Sequence, residues 1–153
     1  VCLDSVVLCG WPGRGRENGP QGWPGEDGML PPLTLHAMPL VIFRLHGVRR
    51  LEISDHPIKA LPAQGWQGFD VLENLAFTGL HLRELPDGIA DISSLHVMAL
   101  MQNMLRHLPC RIGQMPLLKV LLVTGNQIEK LPEPFGPPML QQFTADGNNI
   151  SNV

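Results

Sequence analysis

Along residues 95–109 apolar side chains fall at positions 1, 4, 6, 11 and 14 of one unit: Leu95, Met98, Leu100, Leu105 and Leu108. Asn103 holds position 9 and Pro109 closes the unit. Neither the helical period nor the strand period holds throughout. The alternation of Met98 and Leu100 predicts a short strand, and the spacing of Leu105 and Leu108 predicts a turn away from it. The template occurs five times, starting at Val48, Leu72, Leu95, Leu118 and Leu140, in steps of 24, 23, 23 and 22. A degenerate copy over residues 30–47, read as Leu30, Leu33, Leu35, Met38, Leu40 and Phe43, is expected to be an irregular amino-terminal cap. A short helix over part of residues 39–46 is the alternative there, because proline suits a first helical turn.

Side chains alternate along a strand, so positions 4 and 6 are expected inward and positions 3, 5 and 7 outward. Successive strands are expected to pair in parallel. At position 9, Asn103, Asn126 and Asn148 are placed to bond backbone groups inside the turn. His56 and Leu80 replace Asn in the earlier units, which predicts looser or water-filled turns in the amino-terminal half. On the return path Trp66 and Phe69, Ile89 and Ile92, and Ile112 and Met115 are expected to turn inward. Pro137 and Pro138 exclude a regular helix after Phe135. No unit can fold alone, since neighbours must cover its open ends.

This spacing resembles the leucine-rich repeat family, in the class LPxxIxxLxxLxxLxLxxNxLxxLP. Residues 85–132 match it most closely and residues 30–153 more loosely. The resemblance implies an α/β fold: a solenoid arc with a parallel sheet on its concave face and short helical turns or irregular chain on its convex face. It implies a protein–protein interaction module, a scaffold or adaptor that takes a protein partner through the concave face. The alternative it implies is a recognition or regulatory fragment of a larger multidomain enzyme, such as a kinase or ubiquitin ligase. The last unit stops at position 14 with no polar capping element, so the chain is expected to be truncated at its carboxy-terminal end.

The outward positions supply a candidate site. They are Val97, Ala99 and Met101 in one unit and Val120, Leu122 and Thr124 in the next. Val97, Met101, Val120 and Leu122 are expected side by side as an exposed apolar patch. Arg50, Glu52 and Asn74 flank it on one side, and Gln142, Thr144 and Asp146 on the other. An apolar centre with a polar rim is the anatomy of an interface. Cover by another part of the chain, or contact between copies, is the competing reading.

Composition changes the picture before the repeats. From Gly10 to Pro32 more than half of the positions are Gly or Pro, so residues 1–29 are expected to be a disordered segment. Glycines there keep a period of three that breaks at Arg16, against the strict period a collagen triple helix needs. The net charge of −3 gives no support for nucleic-acid binding. No apolar run approaches the ~18 residues of a membrane span. The opening stretch lacks the basic flank of a signal peptide. A reducing compartment, the cytoplasm, is therefore expected.

Chemistry is sparse. Cys2, Cys9 and Cys110 form neither a disulfide framework nor a metal spacing, and the six histidines show no ligand spacing. Cys110 follows His107 by three positions, but no basic cluster is placed to lower its pKa. The Gly-rich segment lacks the Lys-Ser/Thr of a phosphate-binding loop. No catalytic residue, metal, cofactor or small-molecule substrate is expected.

Overall fold

The computed structural model describes residues 4–9 and 35–151. Among them six strands pair in parallel in chain order: β1 Ser5–Cys9, β2 Arg50–Ser54, β3 Asn74–Thr78, β4 Val97–Ala99, β5 Val120–Leu122 and β6 Gln142–Thr144. One register runs across the whole sheet. Val6, Leu51, Leu75, Met98, Leu121 and Phe143 stand opposite one another in a single row. The four inner members are fully buried, while Val6 and Phe143 close the row at its partly covered ends. Strands about 4.8 Å apart let these side chains touch from rung to rung.

Among the described residues the return path carries four short 3-10 turns: η1 Leu40–Arg44, η2 Trp66–Gly68, η3 Asp87–Asp91 and η4 Cys110–Gln114. Each buries one apolar anchor against the sheet: Ile42, Trp66, Ile89 and Ile112. Pro39, Pro86 and Pro109 sit immediately before η1, η3 and η4, where a missing N–H is harmless. The stretch after Phe135 forms no helix, and Pro137 and Pro138 are the reason. The expected inward pairs are buried on this path, Trp66 and Phe69 included. Trp66 packs edge-on against Phe43 of the preceding rung at 5.1 Å and against Phe77 of the following strand at 6.2 Å. Its indole N–H donates to the Pro62 carbonyl at 2.8 Å.

Every described strand from β2 to β6 is left through the same backbone device. The residue at position 8 has positive φ in each rung: Asp55, Gly79, Gln102, Gly125 and Gly147. That left-handed residue turns the chain off the sheet so that position 9 points back under it.

The first rung differs from expectation. Residues 5–9 are a strand paired with β2, so the strand beside β2 comes from within the segment expected to be disordered, ahead of the degenerate copy. In later rungs the position-11 amides of Leu105 and Ile128 donate to Asn126 and Asn148 of the next rung. The Leu35 amide donates in the same way to Nδ1 of His56. Leu35 is therefore position 11 of the rung that β1 begins, and buried Met38 with Pro39 is its Leu-Pro step. Leu40, expected inward at position 11, is instead 68% exposed. In a regular rung, positions 6 and 11 are close in the chain: only Thr78 to His81 separate Phe77 from Leu82. In the first rung everything from Cys9 to Thr34 separates Leu8 from Leu35. The Gly/Pro-rich stretch is thus an insertion within the first repeat rather than a segment before the repeats. The disorder expected for residues 10–29 falls outside the described residues.

The amino-terminal turns are also tighter than expected. His56 is 2% exposed and Leu80 is fully buried. The Ile58 amide, which an Asn would otherwise hold, bonds the His56 carbonyl at 2.8 Å. The Leu80 amide bonds Asn103 Oδ1 at 3.0 Å, so the next rung's Asn closes the turn that lacks one.

Candidate functional site

The strand register fixes the outward face of the sheet residue by residue. Position 3 reads Ser5, Arg50, Asn74, Val97, Val120 and Gln142 across neighbouring strands. Position 5 reads Val7, Glu52, Ala76, Ala99, Leu122 and Thr144. Val97 and Val120 are direct neighbours, as are Ala99 and Leu122. The apolar residues do come together, between Asn74 on one side and Gln142 and Thr144 on the other.

The patch is lower in relief than expected. Val97, Met101, Val120 and Leu122 are half-buried, and Ala99 is only 8% exposed. In-register neighbours about 4.8 Å apart cover each other's flanks. The short Ala99 methyl stands in register between Ala76 and Leu122. Ala99 therefore offers a floor to the patch and not a contact of its own. Asn74, Thr124 and Thr144 are partly exposed, and Gln142 and Asp146 are exposed. The Thr124 and Thr144 hydroxyls bond each other at 3.4 Å, which orients that rim. At the edge of the face Arg49 and Glu73 form an ion pair between adjacent rungs.

One outward residue was not anticipated. Val7 is 52% exposed beside Glu52 and extends the apolar content of the face to the first rung. Its signal in the sequence is the run Leu3-x-x-Val6-Val7-Leu8, which fits the template once the insertion after it is recognised.

Asn103, Asn126 and Asn148 lie under the face and rigidify it. Asn103 donates to the Phe77 carbonyl at 2.8 Å, and Asn126 to those of Leu100 and Val123, each at 2.8 Å. Asn148 donates to the Val123 carbonyl at 2.9 Å and the Ala145 carbonyl at 2.8 Å. Each amide ties its own turn to the rung before it, so outward side chains stand on a stiff frame.

On the flank, where the chain leaves the sheet, lies an open cleft of about 710 Å³. Arg83 and Arg106, one rung apart, line it together with Glu84 and Asp87, so its formal charges balance. Cys110 is exposed, and among the described residues no group of three His, Cys, Asp or Glu side chains is placed to hold a metal. No helix among the described residues is long and apolar enough to cross a membrane.

No protein-family model and no curated protein matches the chain. Solved structures do. The BIR2 ectodomain from Arabidopsis thaliana superposes with a TM-score of 0.60 at 19% identity, over 74% of this chain and 62% of that one. The BIR3–SERK2 complex from the same plant gives 0.56 at 21% identity, over 75% and 65%. A Leptospira interrogans leucine-rich repeat protein, LIC12759, gives 0.47 at 20% identity, over 78% and 42%. The chain thus spans less than two thirds of each of these three structures. Together with the single-register parallel sheet and the Asn-anchored turns, the matches to the two Arabidopsis structures show a leucine-rich repeat solenoid fold. The likeness extends to the fold and to no particular partner.

Proposed function

We propose that this chain is a protein–protein interaction module that takes a protein partner on the outward, concave face of its sheet. The carrying observation is the in-register pairing of Val97 with Val120 and of Ala99 with Leu122. This makes a shallow apolar floor on a face that solvent would otherwise keep polar. Asn74 on one side, and Gln142, Thr144 and Asp146 on the other, supply the polar rim that fixes a partner's orientation. Met101 and Thr124 extend the same two rungs toward the turn. A preorganised frame lowers the ordering cost of binding, and the Asn ladder provides one.

The test uses the full chain as bait in affinity capture, comparing wild type with a Met101→Asp/Leu122→Asp double variant. Leu117→Asp, at an exposed site off the sheet, is the control. Proteins held by wild type and by the control should be lost from the double variant while its urea unfolding stays cooperative. Equal capture by all three would refute the reading.

A further inference from the structure

His56 occupies the position that Asn103, Asn126 and Asn148 fill in later rungs, and it performs the same task. Its Nδ1 accepts the Leu35 amide at 3.2 Å, as Asn126 Oδ1 accepts the Leu105 amide at 3.1 Å. The two acceptors differ chemically. An amide oxygen accepts at any ordinary pH. An imidazole nitrogen accepts only while it carries no proton, and once protonated it is a donor facing a donor. The place of this substitution matters. Leu35 is where the chain rejoins the repeat stack after the long insertion, so this bond ties the stack together at that junction.

We propose that His56 is a pH-sensitive latch: neutral, it fastens the chain leaving the insertion to the second rung, and protonated, it releases it. Two observations support the latch. The ring is almost wholly buried, so water cannot replace the lost bond without the turn opening. Its surroundings offer little to a charged ring. Leu80, fully buried, takes the equivalent place on the next rung. His36, beside Leu35, and His81, beside Leu80, are both exposed, and neither is an anion. Asp55 on the same turn is the one charged group acting on the ring among the described residues, and its carboxylate favours the protonated form. Burial outweighs it and holds the imidazole pKa below its ordinary 6.5. The latch is thus closed at neutral pH and opens on acidification.

The experiment follows the full chain by NMR from pH 7.5 to 5.0. At neutral pH the nitrogen shifts should place the ring proton on Nε2 and leave Nδ1 bare. The protection factor of the Leu35 amide, corrected for intrinsic exchange, should fall at least tenfold on acidification. In His56→Asn, which restores the residue of the later rungs, it should change less than twofold. The Leu105 amide, held by Asn126, should not respond in either protein. A proton on Nδ1 at neutral pH overturns the proposal without any variant. So does Leu35 protection that is insensitive to pH in wild type, or that falls equally in wild type and His56→Asn.

Discussion

Asn103 reaches back one rung to Leu82: its Oδ1 accepts the Leu82 amide at 3.2 Å while its Nδ2 donates to the Phe77 carbonyl of the same rung. One side chain thus satisfies donors and acceptors that the turn itself cannot pair. The Leu80 amide shares the same oxygen, because its own rung has no Asn. Removing the side chain strands several buried polar groups at once, each worth about 1–3 kcal/mol. Asn103→Ala should therefore destabilise the protein by about 3 kcal/mol in urea unfolding. Asn148→Ala, at the partly exposed last turn, should lose about 1 kcal/mol. Equal losses at the two sites would show that Asn103 is not shared between turns.

The left-handed turn at position 8 gives a cleaner test of backbone strain. Gly125 has φ +71, and a Cβ built there would meet Gln102 at 3.6 Å, an ordinary contact. Any penalty for Gly125→Ala therefore comes from the backbone angle alone, about 1–2 kcal/mol. Thermal unfolding would check it, with Gly136→Ala as a second left-handed site that has no neighbour within 4 Å. A neutral Gly125→Ala would contradict the turn geometry.

If the Gly/Pro-rich stretch is an insertion within the first rung, it can be removed. Deleting the stretch from Trp11 to Pro32 joins the two halves of the template with the spacing that the other rungs use. Shortening the loop should raise stability by on the order of 1 kcal/mol through a smaller closure entropy. The urea m-value should fall little, because the sheet and core are untouched. A deletion variant that no longer unfolds cooperatively would contradict the assignment.

Stability should also depend on pH through His56. Its pKa lies below the ordinary 6.5 in the folded protein because the ring is buried, so the unfolded chain binds the proton more readily. The contribution is complete above about 6.5, the unfolded value, and is lost as pH falls through the lower folded value. Urea midpoints of wild type relative to His56→Asn should therefore decline between pH 7.5 and 5.0. A difference that stays constant over that range would show that His56 titrates alike in both states.

Five of the six rungs are legible in the sequence because each keeps its apolar positions contiguous, from Leu51 and Ile53 to Phe143 and Ala145. The first rung is not, because the Gly/Pro-rich insertion separates Val6 and Leu8 from Leu35 and Met38. Either half alone is too short to recognise, and Leu30, Leu33 and Leu35 mimic a strand pattern in the gap. The outward residues of the candidate site are readable as a list but not in their relief. Exposure depends on what stands beside each side chain on the neighbouring strands, and Ala99, between Ala76 and Leu122, is only 8% exposed. In the sequence His56 is a departure from the Asn series. Its acceptor role appears only once Leu35 is seen across from it.

The described residues form a single stack of six rungs that begins at residues 5–9, and methyl NOEs on the full chain test it most directly. The structure predicts cross-peaks from Val6 to Leu51 and from Leu8 to Ile53, continuing the series Leu51, Leu75, Met98 and Leu121. Cross-peaks from Leu33 to Leu51 and from Leu35 to Ile53, with none from Val6 or Leu8, would contradict it.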